Sequence, residues 1–167
     1  MTDRGEFDRL LAANERYAET FPHSSLTAAP VRGLVVITCM DARLDVLRAM
    51  GLAMGDAHII RNAGGLATDD VIRSLIVSQQ LLGTHEIVVI GHTGCGLLGA
   101  DEDALRDRMT TETGAPLDMA FGSFDDLEGS VQASVERLRT HAWLKRVPVH
   151  GLIFDVATGR LREVSRA

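Results

Sequence analysis

Gly33-Leu-Val-Val-Ile-Thr-Cys-Met-Asp-Ala-Arg43 and Glu86-Ile-Val-Val-Ile-Gly-His-Thr-Gly-Cys-Gly96 decide the fold of this chain. Each opens as a short apolar run rich in β-branched residues and then breaks into small, charged and metal-binding side chains. An apolar run that does not alternate reads as a strand buried on both faces, the signature of a parallel sheet. The strands so predicted are Gly33–Met40 and Glu86–Gly91.

The surrounding sequence completes a βα alternation. Ala57-His-Ile-Ile-Arg61 reads as a shorter strand. Thr68 and Asp69 offer capping oxygens for a helix through Leu82, with Val71, Ile72, Leu75, Ile76 and Gln79 on one face and Gly83 as its stop. An acidic helix is predicted over 100–109. Another starts at Asp125 or Asp126, where Leu127, Val131, Val135 and Leu138 repeat at helical spacing. Val149–Asp155 is the fourth strand, Ala157-Thr-Gly-Arg160 a turn, and Leu161–Val164 alternates like an antiparallel edge. The expected fold is therefore α/β. It has a mostly parallel central sheet of four strands plus one antiparallel edge strand, with helices on both faces. Residues 3–21 form a polar amphipathic helix carrying Phe7, Leu10, Leu11 and Tyr17, an N-terminal arm joined by the connector Pro22–Pro30. Residues 1–167 contain no repeat or internal boundary and read as a single domain.

Composition narrows the functional classes. At 167 residues, 46% hydrophobic and 24% charged, the chain can bury an ordinary core without disulfides. A net charge of −6 argues against nucleic acid and anionic membrane as partners. The first residues are too polar for a signal peptide, and no apolar run reaches the roughly 18 residues of a membrane span. A cytoplasmic location is expected, in which both cysteines stay reduced.

Ligands of open parallel sheets collect beyond the carboxyl ends of the strands. Cys39 ends the first strand, and His92 and Cys95 follow the third, so all three converge on one rim. Two thiolates and one imidazole make a zinc site with three protein ligands and an open fourth position. A Cys39–Cys95 disulfide is the competing reading, disfavoured by the expected compartment. Asp41 lies two residues beyond Cys39 and points to the same side of an extended chain. The fourth position takes either water or Asp41, and Arg43 decides between them, because a guanidinium fork can hold the carboxylate off the metal. If Asp41 were instead a committed fourth ligand, the zinc would be structural. Gly91, Gly94 and Gly96 permit tight backbone paths, but their spacing is not the dinucleotide fingerprint. His58 is expected to be a packed strand residue. His23, His85, His141 and His150 read as surface or strand-end positions. Arg61 reads as a strand-end ion pair, and a site role for it follows only from family likeness.

Cys39-Met-Asp-Ala-Arg43, Ile60-Arg-Asn-Ala-Gly-Gly65 and Gly91-His-Thr-Gly-Cys-Gly96, in that order, resemble the β-class carbonic anhydrases. Phe154-Asp-Val-Ala-Thr-Gly159 extends the likeness over nearly the whole chain. The resemblance implies one Zn²⁺ per chain on Cys39, His92 and Cys95, Asp41–Arg43 as catalytic dyad, and Gly64, Gly65 and Gly96 beside the substrate. It implies reversible hydration of CO₂ to bicarbonate and a proton by zinc-bound hydroxide. Carbonyl sulfide hydrolases look like close members of the same group, so a carbonyl sulfide or carbon disulfide hydrolase is the alternative. The family also implies a homodimer or a dimer of dimers, with residues 3–21 embracing the neighbour.

Overall fold

In the computed structural model, which describes residues 5–22 and 24–166, the two quoted stretches lie side by side at the centre of a five-stranded sheet. The strands are β1 (Leu34–Cys39), β2 (Ala57–Asn62), β3 (Glu86–His92), β4 (Val149–Phe154) and β5 (Leu161–Ser165), in the order β2-β1-β3-β4-β5. The first four run parallel and β5 returns antiparallel along β4, as the alternation at Leu161–Val164 predicts. Asp3, Arg4 and His23 lie outside the described residues.

Every residue of β1 is buried, and β3 is buried from Ile87 onward. That is the condition under which parallel strands lose their polar alternation. One face of the sheet, through Val35, Ile37, Ile87 and Val89, packs on α3 (Asp69–Leu81) and α5 (Leu127–Thr140). Val71, Ile72 and Leu75 come from α3, and Val131, Val135 and Leu138 from α5. The Thr68 hydroxyl caps α3 by accepting from the Val71 N–H, and Asp126 caps α5 at the Glu128 N–H. The opposite face, through Leu34, Val36, Val88 and Ile90, is closed more thinly. Leu44, Val46 and Leu52 cover it around a one-turn helix, α2 (Val46–Ala49), with Phe154 and Leu161 beside them. A helix of four residues carries too few turns for periodicity to reveal it. What marks it is its cap, Asp45, whose carboxylate accepts from the Arg48 N–H.

The N-terminal helix, α1 (Glu6–Glu19), is shorter than the predicted 3–21 and buries none of its residues. Phe7, Leu10, Leu11 and Tyr17 are all exposed. The acidic helix α4 (Glu102–Thr113) runs a turn beyond the predicted 109, because nothing breaks it before Gly114 at φ 70°. It too buries no residue and is tied down by its first side chain. The Glu102 carboxylate accepts from Ser123 N at 2.7 Å, Phe121 N at 3.2 Å and Arg106 Nη2 at 2.7 Å. Phe124, just beyond, exchanges backbone bonds with Leu97 and Gly99, so this carboxylate braces the segment that follows Cys95.

Donation from the Ser123 and Phe121 amides lowers the Glu102 pKa from the ordinary 4.5 to about 2. A depressed folded-state pKa contributes stability that is complete above the unfolded value and lost as pH falls toward the folded one. Glu102→Gln is therefore expected to be less stable than the parent at neutral pH, with the difference shrinking between about pH 4.5 and about pH 2. Urea denaturation across that range checks this; a difference independent of pH would remove the carboxylate from the account.

Candidate metal centre and its cleft

The register of β1 on β3 pairs Thr38 with Ile90, so the two chains leave the sheet at the same level. Cys39 ends β1 and His92 ends β3, and a tight turn through Gly94, at φ 62°, returns Cys95 to them. Ligand atoms of Cys39, His92 and Cys95 all lie within 4.8 Å of one another, and all three residues are buried. Both cysteines are free thiols.

His92 carries the clearest chemical signal. Its Nδ1 lies 3.0 Å from the Thr93 carbonyl oxygen, which can only accept, so Nδ1 carries the proton. Nε2 then presents a lone pair toward the two sulfurs, and it is buried with no hydrogen-bond partner among the described residues. Leaving a buried polar atom unsatisfied costs on the order of 1–3 kcal/mol. A divalent cation on Nε2 and two thiolates removes that cost, and the soft donor set, with the Thr93 carbonyl holding the imidazole by its other nitrogen, suits zinc. Burial pushes the Cys95 thiol up from its ordinary range. A coordinated cation reverses that preference outright.

Asp41 sits on Arg43. Arg43 Nε donates to Oδ1 at 2.9 Å, Nη2 donates to Oδ2 at 2.7 Å, and the Arg43 backbone N–H adds a bond to Oδ1 at 2.9 Å. The guanidinium donates once more, to the Gly94 carbonyl at 2.9 Å, which ties the dyad to the turn that carries Cys95. These bonds, the Arg43 side chain first, hold the Asp41 carboxyl well below the usual carboxylate range. Oδ2 lies 3.9 Å from His92 Nε2, so the carboxylate borders the three-residue cluster without any bond to it.

A cleft of about 350 Å³ opens over these groups. Met40, Ala63, Gly64, Gly96 and Leu97 wall it beside Cys39, Asp41 and Cys95. Ala63–Gly65 forms a single 3₁₀ turn, held by Asn62, whose side chain accepts from Leu66 N at 2.9 Å and donates to Leu66 O at 2.8 Å. Gly65 stands behind the cleft wall. A Cβ there would meet Cys39 N and Thr38 C at 2.9 Å, and the residue is at φ 67°. The glycine lets this turn touch the end of β1.

His58 lies apart from the cluster, as a packed strand residue. Its Nε2 donates to the Ala28 carbonyl at 2.9 Å, and Nδ1 faces the Ser78 hydroxyl at 2.7 Å. Arg61 makes no ion pair among the described residues. It donates instead to the carbonyls of Cys39 at 2.9 Å, Asp41 at 2.6 Å and Leu44 at 3.3 Å.

The chain is similar to known proteins over most of its length. The family profile described as carbonic anhydrase matches residues 34–161. The chain is 43% identical to beta-carbonic anhydrase 1 of Mycobacterium tuberculosis over 159 residues, covering 95% of this chain and 97% of that one. It superposes on a carbonic anhydrase crystal structure from Streptococcus mutans with a TM-score of 0.91, at 41% identity, covering 97% of this chain and 99% of the other. A carbon disulfide hydrolase of Acidithiobacillus thiooxidans is 40% identical over 152 residues, covering 78% of this chain and 76% of that protein. The chain belongs to the carbonic anhydrase family, in its β class.

Proposed function

We propose that the protein is a zinc-dependent carbonic anhydrase that interconverts CO₂ and water with bicarbonate and a proton. The observation that carries this reading is the orphaned Nε2 of His92, buried against two thiols and bordered by a carboxylate that Arg43 keeps ionised. Cys39, His92 and Cys95 would hold one Zn²⁺ per chain. The chemistry a bound zinc supplies is Lewis-acid activation of water as a nucleophile near neutral pH.

The chain's own groups do the rest. Asp41, held as a carboxylate, can only accept hydrogen bonds. Oδ2 takes one from Arg43 and keeps a lone pair that would accept a hydrogen from the attacking water and so turn an oxygen lone pair toward carbon, while the proton released on hydration passes to buffer. Arg43 fixes that aim, because its fork and its bond to Gly94 leave the carboxylate little freedom to swing toward the metal. Gly64 and Gly96, with Ala63 and Leu97, offer a small, largely apolar wall suited to a linear, weakly hydrogen-bonding substrate, and Gly65 sets how close that wall approaches β1. The resulting bicarbonate is polar and charged, and a wall of this kind gives it little reason to stay. The closer superposition and higher identity of the carbonic anhydrase relatives support CO₂ over carbon disulfide as substrate.

The protein acts as a homodimer or a dimer of dimers, a reading supported by the exposure of Phe7, Leu10 and Leu11 on α1, which buries no residue among those described. The free thiols support a cytoplasmic setting. Among the described residues, no helix is long and apolar enough to cross a membrane.

Stopped-flow CO₂ hydration on the zinc-loaded protein tests the activity. Rapid turnover is expected; turnover confined to COS or carbon disulfide would transfer the protein to the hydrolases. Cys39→Ser is expected to lose metal and activity together, measured by elemental analysis alongside rate. Asp41→Asn should keep the metal and lose on the order of 10²-fold in rate, the cost of a misaimed reacting group. Replacing Phe7, Leu10 and Leu11 with serine should lower the mass measured by light scattering; an unchanged mass would assign the assembly to another surface.

A further inference from the structure

We propose that Arg61 is a positioning residue: it clamps the main chain of residues 39–44, and through that segment sets where Asp41 and Arg43 stand over the cleft. The inference rests on the carbonic anhydrase reading for its activity readout.

The segment needs holding. Residues 40–45 belong to no strand or long helix, yet they carry the whole dyad. Their own backbone supplies little: Met40 N donates to Asn62 O at 2.9 Å and Leu44 N to Asp41 O at 3.1 Å. The Asp41–Arg43 pair, with the Arg43 backbone N–H also bonded to Asp41 Oδ1, folds residues 41–43 on themselves and ties them to Gly94, but none of these bonds reaches the main-chain carbonyls at positions 39, 41 and 44.

Arg61 supplies that restraint from the neighbouring strand. Its Cα pairs with Thr38 across β2 and β1, one position before the segment begins. From there the guanidinium reaches past the strand end. Nε donates to Cys39 O, Nη2 to Asp41 O and Nη1 to Leu44 O, at 2.9, 2.6 and 3.3 Å. The three acceptors bracket the segment at its start, at the dyad carboxylate residue and at its end. All three nitrogens of one rigid plane are engaged, which fixes the orientation of the segment as well as its distance. Arg61 pairs with no carboxylate among the described residues, so its geometry is committed to these carbonyls. A lysine carries its donors on one compact ammonium and cannot span three acceptors in this way.

Displacement of a catalytic group by about 1 Å can cost on the order of 10²-fold in rate. Arg61→Gln and Arg61→Lys are both expected to lose about 10–100-fold in kcat/KM for CO₂ hydration, while binding one metal per chain as the parent does. Amide hydrogen exchange followed by mass spectrometry should show residues 40–45 exchanging faster in both variants, with strands β1 and β3 protected as in the parent. In an Asp41→Asn background, Arg61→Gln should cost less than threefold more, because the group it positions has already gone. Unchanged exchange over 40–45, parental activity in Arg61→Lys, or a full additive loss on top of Asp41→Asn would each overturn the clamp. If Arg61→Gln fails to fold, Arg61→Lys and its own combination with Asp41→Asn decide the matter. A parent protein without CO₂ hydration would sink the functional reading alone, since the exchange measurement judges the clamp without substrate.

Discussion

The parallel pairing of β1 with β3 is the constraint on which the site depends. Leu34 to Thr38 lie opposite Glu86 to Ile90, and the Thr38 hydroxyl adds a buried bond of 2.9 Å to the Ile90 carbonyl at the end of the ladder. A slip of one residue would exchange the faces of every side chain in one strand. It would carry Cys39 out of level with His92 and break the close approach of Gly65 to the Thr38–Cys39 backbone. The apolar run that forms the strand and the cysteine that ends it are thus one structural statement. Burial on both faces leaves β1 a single place in the sheet, and that place determines where its last residue emerges.

At that rim the electrostatics pull in two directions that a cation reconciles. Burial disfavours the Cys95 thiolate and leaves the His92 Nε2 lone pair unanswered. A few ångströms away, Arg43 stabilises the Asp41 carboxylate and spends its fork doing so. The negative charge that belongs to the cleft is therefore already neutralised by arginine. The charge that belongs to the cysteines is the part that calls for a metal. This division of partners keeps Asp41 beside the three-residue cluster instead of within it.

Much of this was legible in the sequence, for identifiable reasons. Buried strands announce themselves through unbroken β-branched runs, and α3 and α5 through Val71-to-Leu75 and Val131-to-Leu138 spacing. The meeting of Cys39 with His92 and Cys95 follows from the rule that parallel strands deliver their ends to one rim. What stayed hidden depended on contacts that carry no pattern. Helix α2 is too short to show a period. Gly65 looks like any glycine until its neighbour is seen to be backbone. Asp41 had two possible partners, and the bonds it makes with Arg43 leave no mark in the spacing. Arg61 was the hardest to read, because a charged residue at a strand end suggests a carboxylate partner, and main-chain carbonyls leave no mark on a sequence.

That choice of acceptors has an evolutionary side. Carbonyl oxygens are the same whatever side chain they belong to, so the grip of Arg61 is indifferent to which residues occupy positions 40, 42 and 44. Met40 is two-thirds exposed and lines the cleft, and Ala42 is exposed as well. Both can mutate without loosening the frame that holds the dyad. A scaffold of this kind can explore the shape of its mouth, and with it the choice among small linear molecules, while its chemistry stays in register.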